Sequence, residues 1–404
     1  VFELIIDKNT DVSKAAAEAM VTMSKLLEPE HVKPNILQIV QNLVADKRVE
    51  DYRIVAAQLL NSLASLFGEY VCNKSVVPSI LILAKDKSYS VRKTVAANLA
   101  NICKTIKQVE TEKHILPIYV DLAKDEIWGV RKAAAESLVG VSEFISAETR
   151  VSTLTKLFYQ FCDDVSRWVR HAAYTALGKF IATFTDNTVP QQLIESFKSA
   201  YLSQNISETE ITEQCAYTFP AVVLTAKDYW EDLVECYHAL IQDAQVKVRR
   251  TLAYSLHELA VVLGQSITES SLVKAFQSLI EDTDEVKIGI ISHLYEFFEI
   301  CTYETRLSLL KAHIGIIQSE TDSWRIRELL ATQLGAIAVL FKPIDIYEQI
   351  LPITKKLYAD KVFTVRKAGV AAMGPILKIL INESDTDTYF KEVLVDQYLL
   401  ITAR

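Results

Sequence analysis

A hydrophobic residue followed by a basic one recurs along this 404-residue chain, with a period of about 39 residues. The interval doubles once, between Arg170 and Arg249, so one degenerate unit lies there, with Glu210 near its expected basic position. The basic members are Lys14, Arg53, Arg92, Arg131, Arg170, Arg249, Lys287, Arg327 and Arg366. A unit this short cannot bury its own apolar surface, so the period predicts about ten units that stack on one another.

The fourth unit, from Glu112 to about Ala147, shows how one repeat is organised. Apolar side chains recur at helical spacing over residues 114–124 and again over residues 130–145. A turn at 125–129 separates the two segments. Each repeat is therefore predicted to consist of two helices joined by a short turn.

The chain has only 10 glycines and 9 prolines, too few for the turns of a β-sandwich, a barrel or a doubly wound α/β enzyme. Two helices in about 39 residues are typical of HEAT and armadillo arrays. Proline near the start of the first helix favours HEAT, as at Pro34, Pro78, Pro117 and Pro352. We therefore predict an all-α fold, a HEAT-repeat α-solenoid of about ten two-helix repeats.

Three regions are predicted. Residues 1–188 hold about five N-terminal repeats, and residues 227–404 hold about four more and the first helix of another. Between them, residues 189–226 form a degenerate sixth repeat with Pro220 in its second helix, which we interpret as a hinge. Both ends of the chain lie within first helices without a polar cap, so we expect an excerpt of a longer array.

A net charge of −8 disfavours nucleic acid and anionic membrane as partners. No apolar run near the ~18 residues of a membrane span is evident. The six cysteines lack any C-x-x-C pair and are interpreted as buried thiols of a cytoplasmic or nuclear protein.

No phosphate-binding or nucleophile motif occurs, and His257 is the only histidine that is followed by glutamate. No cofactor, metal or catalysis is therefore predicted. His257 is taken as a surface or edge residue.

Acidic and aromatic residues mark the turn inside each repeat. An aspartate precedes every basic position, which predicts a ladder in which each aspartate meets the arginine of its own or the next repeat; contact of these arginines with a ligand is the alternative. Aromatic side chains stand two or three residues before five basic positions, at Tyr89, Trp128, Trp168, Trp324 and Phe363. They either close the turn against the next repeat or form a partner-binding edge. The aspartates are Asp7, Asp46, Asp86, Asp125, Asp164, Asp243, Asp282, Asp322 and Asp360.

Several segments carry a likeness that goes beyond the recurring hydrophobic–basic pair: 126–133, 166–173 with 177–178 and 180–181, 247–253 with 257–260, 284–289, and 359–362 with 365–366. These segments resemble the HEAT scaffold family of the protein phosphatase 2A group. The resemblance implies a non-catalytic subunit that binds a Ser/Thr protein phosphatase catalytic subunit of the 4 or 2A type and directs it to substrates. It also leads us to expect a long acidic insertion between Thr185 and Thr218, where the chain has only a short polar stretch from Ser203 to Glu213.

In that family the catalytic subunit docks on the turns of C-terminal repeats, which implies a partner-binding edge on the C-terminal turns here. The C-terminal turn ridge comprises Trp324, Arg325, Arg327, Lys361, Phe363, Arg366, Lys367, Lys247, Arg249 and Lys287. The N-terminal turn ridge comprises Tyr89, Trp128, Arg131, Trp168 and Arg170, and is expected to serve substrates or further regulatory proteins. The competing interpretation is a nuclear transport receptor of the importin-β type or another HEAT assembly scaffold, which would bind basic cargo through acidic second helices.

Overall fold

The computed structural model describes residues 2–5, 7, 9–26, 29–184, 188–202, 209–314 and 323–383. Throughout these ranges the chain forms successive helix pairs and no strand, one pair for each predicted repeat. The predicted all-α HEAT solenoid is confirmed. The helix expected after residue 383 and the stretch from Ser203 to Glu208 lie outside the described residues.

Each repeat consists of a first helix and a second helix. The first helices cover Phe2–Ile5, Pro29–Ala45, Ala64–Val71 through Val77–Leu83, Thr111–Ile115 with Leu116–Leu122, Ala147–Thr149 through Thr155–Cys162, Gln191–Leu202, Lys227–Tyr229 with Trp230–Ile241, Gln265–Ile267 through Val273–Ile280, Tyr303–Leu309 with Leu310–Ile314, and Pro343–Asp345 through Leu351–Tyr358. The second helices cover Thr10–Ser24, Glu50–Ser62, Tyr89–Ala97 with Ala100–Glu110, Trp128–Ser142, Arg167–Ile181, Thr209–Thr225, Val246–Leu263, Asp284–Ser292 with Leu294–Ile300, Trp324–Ile337 with Ala338–Leu340, and Phe363–Glu383.

Three links between repeats reverse the chain at a residue with positive φ, and two of these residues interrupt the helical ranges Ala64–Val71 and Ala100–Glu110. Gly68 (φ 77°) and Gly264 (φ 79°) take this conformation, which costs glycine little because it has no Cβ. Lys107 (φ 66°) holds the corresponding place one repeat after Gly68. Its ammonium pairs with Glu69 at 2.5 Å across the two neighbouring links.

Several first helices contain a five-residue π-helical turn, as at Cys72–Val76, Thr111–Ile115 and Arg150–Leu154. Pro78, Pro117 and Pro352 come second in the α-helical segment after such a turn, so they lie inside the first helix and not near its start as predicted. The wide turn is compatible with proline, which lacks the amide that an uninterrupted α-helix needs.

The side chain that opens the π turn caps the second helix of the preceding repeat. Thr111 Oγ1 donates to the Cys103 carbonyl at 3.3 Å, and the buried Arg150 guanidinium donates to the Ser142 carbonyl at 2.9 Å. These bonds supply donors to carbonyls near the end of the preceding second helix, where partners within the helix run out. They therefore fix the angle at which one repeat follows the other.

Close packing of second helices forms much of the core. Gly140 lies so near Ala100 that a Cβ added to it would stand 2.6 Å from the Ala100 Cβ. Tyr119, fully buried, donates its hydroxyl to the Ala134 carbonyl at 2.7 Å and joins the two helices of repeat four. All six cysteines are free thiols; five are buried and Cys162 is half-buried.

One stretch departs from the prediction that no segment could cross a membrane. Residues Ala64–Leu83 are long and apolar enough to do so by length and composition. Gly68 breaks the helix within this stretch, and Phe67, Ile80 and Leu83 are buried in the core. The burial of these side chains between repeats accounts for the apolar character of the stretch.

The chain divides into two compact units, Val1–Ala200 and Tyr201–Arg404, with the division inside the degenerate sixth repeat. Its second helix, Thr209–Thr225, buries Ile211, Cys215 and Phe219. Ile211 holds the place in this helix that Val248 holds directly before Arg249 in the next repeat. The missing basic residue therefore corresponds to Thr212 and not to Glu210. Pro220 lies inside this helix.

We expect amide exchange to be faster in Thr209–Thr225 than in Val246–Leu263, which has no proline. An interior proline costs a helix about 3 kcal/mol, and the sixth repeat lacks the arginine of the ladder. Pro220→Ala should slow exchange in this helix alone. Exchange as slow in the native sixth repeat as in the seventh would contradict the hinge interpretation.

Candidate functional site

A ladder of ion pairs joins the intra-repeat turns within each unit. Five arginines at the starts of second helices each bind the aspartate of the following repeat with two parallel bonds, Nε to Oδ2 at 2.5–2.6 Å and Nη2 to Oδ1 at 2.9–3.2 Å. The pairs are Arg53–Asp86, Arg92–Asp125, Arg131–Asp164, Arg249–Asp282 and Arg327–Asp360. This bidentate geometry is the strongest that an arginine and a carboxylate form.

The same arginine also holds its own turn. In repeat four, Arg131 Nη1 donates to the Asp125 carbonyl at 2.8 Å, and the Asp125 carboxylate accepts the Ile127 amide at 2.9 Å. Five of the nine predicted aspartates therefore form the ladder, but their carboxylates meet the arginine of the preceding repeat and not of their own or the next. Only the aspartate carbonyl meets the arginine of its own repeat, because the guanidinium projects forward from the helix start. Asp322 lies outside the described residues.

Hydrogen bonds from the guanidiniums lower the pKa of the ladder carboxylates. For Asp282 and Asp360 the bond from the paired arginine is the largest influence and outweighs the opposing effect of burial. For Asp125, burial raises the pKa most, but the bond from Arg92 and the Ile127 amide together hold it below its ordinary value. The ladder therefore stabilises the ionised carboxylates.

We expect the free energy of unfolding to fall as the pH drops through the acid range. A carboxylate with a lowered pKa binds its proton more weakly when folded, so its contribution is complete above the unfolded pKa of about 3.9 and is lost below it. Denaturant midpoints measured from pH 7 to pH 3 should show this loss. Asp125→Asn should flatten the dependence, whereas Asp243→Asn should not, because Asp243 receives no arginine from a preceding repeat. Equal curves for both variants and the native chain would contradict the ladder's role.

The ladder already engages three arginines of the predicted ridges. Arg131, Arg249 and Arg327 each bind a carboxylate, and Arg327 is only 5% exposed. These ion pairs favour a structural role in the ladder over direct contact of the arginines with a ligand. In every ladder pair the aspartate follows its arginine by 33 residues. Arg170 and Arg366 differ, because the residues 33 positions later, 203 and 399, are not acidic. No carboxylate partner for either arginine lies within the described ranges.

The turn aromatics all have solvent-exposed surface. Trp324 is 37% exposed, Trp168 47%, Trp128 48%, Tyr89 51% and Phe363 67%. Cations lie over three of these rings, with Arg167 at 4.5 Å from Trp168, Arg325 at 4.9 Å from Trp324 and Arg366 at 5.9 Å from Phe363. By contrast, the fourth tryptophan, Trp230, is buried. The turn aromatics contribute little to the core and leave apolar surface open to a partner.

The remaining predicted basic residues fall into two groups. Arg325, Lys361 and Lys367 are exposed beside Trp324 and Phe363 on neighbouring turns. Lys247 is exposed and 3.8 Å from Glu213, while Lys287 is half-buried. Around Trp324 and Phe363, the accessible part of the C-terminal turn ridge is thus a set of two aromatics and three cations.

Two features were missed at the sequence level. His257 is half-buried and stacks on His293 with ring centroids 3.8 Å apart, and burial lowers its pKa. The second helices of the second unit also expose apolar residues. No three metal-ligating side chains converge in the part of the chain that the structure describes.

Two segments match known protein families. Residues 69–146 match the PPP2R1A-like HEAT repeat, and residues 215–314 match the protein phosphatase 4 regulatory subunit 1 middle domain. Human serine/threonine-protein phosphatase 4 regulatory subunit 1 is 37% identical over 203 residues, which cover 49% of this chain and 21% of that protein. The chain resembles protein phosphatase 4 regulatory subunits. The resemblance drawn from the repeat motifs is confirmed.

A second regulatory subunit aligns over more of the chain. Human protein phosphatase 4 regulatory subunit 4 is 24% identical over 412 residues, covering 90% of this chain and 46% of that protein. The alignments thus span between about a fifth and a half of these relatives. The homologues are regulatory and not catalytic subunits, which supports a regulatory scaffold.

Solved structures share the fold at low identity. Importin β crystallised in ammonium sulfate has a TM-score of 0.67 and 12% identity, covering 100% of this chain and 53% of that one. Yeast importin-β has a TM-score of 0.62 and 13% identity, covering 95% of this chain and 52% of that one. At this identity the similarity concerns the stacking of helical repeats alone.

Proposed function

We propose that this chain is a non-catalytic scaffold that binds the catalytic subunit of a Ser/Thr protein phosphatase, of the protein phosphatase 4 or 2A type, and directs it to substrates. The observation that carries this proposal is the pair of exposed aromatic turns at Trp324 and Phe363 in a chain whose homologues are protein phosphatase 4 regulatory subunits. The cytoplasm and the nucleus are the proposed locations.

The composition of the C-terminal turn ridge suits a protein partner. Aromatic side chains are common anchors of interfaces, because they bury a large area with few rotatable bonds. Arg325, Lys361 and Lys367 surround the two rings with positive charge, which steers an acidic surface toward them. The catalytic subunit is therefore proposed to present an acidic rim around apolar pockets.

The N-terminal turn ridge has the same residue types at Tyr89, Trp128 and Trp168. We assign it to substrates or further regulatory proteins. A scaffold with two such edges can bind the catalytic subunit on one and its target on the other, which raises their effective concentration.

Reconstitution tests the proposal directly. The full chain mixed with purified protein phosphatase 4 or 2A catalytic subunit should elute from a size-exclusion column as one complex that carries phosphatase activity. The chain alone should have none. Separate elution of the two proteins at micromolar concentration, or activity of the chain alone, would overturn the proposal.

A further inference from the structure

Three consecutive second helices lack positive charge beyond their first turn. No lysine or arginine occurs in residues 209–226, 251–273 or 288–305. These ranges contain most of the second helices of repeats six, seven and eight, which pack side by side in the second unit. The exposed side of this layer is therefore neutral or negative.

Large apolar side chains lie on that side. Tyr217 and Leu224 stand two turns apart on the sixth second helix, and Tyr254 and Val261 stand two turns apart on the seventh. All four are between 41% and 67% exposed. Residues seven apart share a helix face, so the four form two parallel apolar rows on adjacent helices.

Carboxylates adjoin these rows. Glu258 and Glu299 are exposed, and the Glu296 side chain is 45% exposed. The Tyr254 ring lies 6.4 Å from His293, whose Nδ1 is 4.0 Å from Glu296, so the apolar and acidic parts are continuous. The charge of Glu299 is the largest influence that raises the pKa of Tyr295, and burial and the charge of Glu296 act in the same direction.

The first unit does not repeat this arrangement. Tyr254 and Val261 follow Arg249 by the same intervals at which Glu136 and Glu143 follow Arg131. Both glutamates are exposed, and Glu136 pairs with Lys132 at 2.6 Å. The apolar rows are thus particular to repeats six and seven and are not required by the repeat fold.

We propose that this surface, the acidic apolar face, is a binding site for a short basic peptide segment with aliphatic or aromatic side chains. It consists of Tyr217, Leu224, Tyr254, Val261, Glu258, Glu296 and Glu299. The apolar rows offer burial to the side chains of such a segment, and the carboxylates pair with its lysines or arginines. The same carboxylates repel the phosphates of nucleic acids and lipids. The site goes beyond the proposed function, since it lies on helix faces away from the turns and does not depend on catalytic-subunit docking.

An array of synthetic twelve-residue peptides tests the site. The number of arginines and lysines is varied independently of the number of leucines and phenylalanines, and the full chain is used as the probe. The best binder is then labelled, and its affinity is measured by fluorescence anisotropy at two salt concentrations. Binding should require both basic and apolar residues, and should weaken with salt.

Two variants assign the binding to the face. Leu224→Ser with Val261→Ser should weaken the labelled peptide about tenfold or more, with an unchanged thermal melt because both side chains are about two-thirds exposed. Glu258→Gln with Glu299→Gln should weaken it severalfold and reduce the salt dependence. The matched control, Glu136→Gln with Glu143→Gln, should leave the affinity unchanged.

Three results would overturn the proposal. No peptide binds below about 1 mM, binding follows charge alone, or the control variant loses as much affinity as the face variants. The melt separates these outcomes from unfolding. Reconstitution with the catalytic subunit tests the turn ridge independently, so failure at one surface leaves the other standing.

Discussion

Trp324→Ala combined with Phe363→Ala should abolish capture of the phosphatase catalytic subunit by an otherwise intact chain. Removal of one aromatic anchor from the centre of an interface typically costs about 2 kcal/mol or more. Two anchors on neighbouring turns would then weaken binding roughly a thousandfold. The rings are exposed and lie outside the core, so the free energy of unfolding should fall by less than about 1 kcal/mol.

The first unit supplies the matched control. Tyr89→Ala with Trp128→Ala removes two exposed aromatics from the corresponding positions of the N-terminal turn ridge. Capture of the catalytic subunit should persist in this variant. Pull-down of phosphatase activity and a thermal melt of both variants make the measurement. Equal loss from both, or loss only together with a collapsed melt, would mean that the turn aromatics are structural.

Arg327→Glu should destabilise the second unit by about 3 kcal/mol or more. The Arg327 side chain is 7% exposed and binds Asp360 at 2.6 Å. The substitution removes the positive charge that pairs with Asp360 and places a second carboxylate beside the Asp360 carboxylate. Loss of partner binding in this variant would therefore report unfolding and not a lost contact.

Arg366→Glu is the control for that change. Arg366 holds the same place one repeat later, and within the described residues it contacts two carbonyls and the Phe363 ring, so its loss should cost about 1 kcal/mol. Urea unfolding followed by tryptophan fluorescence compares the two, because Trp324 and Trp230 both lie in this unit. An Arg327→Glu midpoint as high as that of Arg366→Glu would contradict the ladder.

The fold could be predicted from the sequence because one constraint repeats. Every unit must bury the same face against its neighbour, so Val248, Leu252 and Leu256 recur in kind along the chain and reveal both helices and period. The π turns could not be predicted, because they occur with proline, as before Pro78, and without it, as at Arg150–Leu154. Their position depends on capping of the preceding helix.

The candidate site was predictable in its residues but not in their roles. Spacing placed arginines, aspartates and aromatics on the same turns, yet it could not tell which arginine a carboxylate would bind. Arg327 and Arg366 look equivalent in sequence; only a carboxylate on the next repeat separates them. The acidic apolar face could not be predicted from the helical pattern, because that pattern identifies buried residues, whereas this face consists of exposed apolar side chains in a stretch without lysine or arginine, residues 251–273.

Amide exchange of the full chain with and without the catalytic subunit tests the central claim most directly. We expect new protection at residues 323–328 and 360–368, where Trp324 and Phe363 lie, and none at residues 88–92 or 127–131 of the first unit. Protection confined to the first unit, or to the second helices at 209–225 and 246–263, would contradict the claim that the C-terminal turn ridge holds the phosphatase.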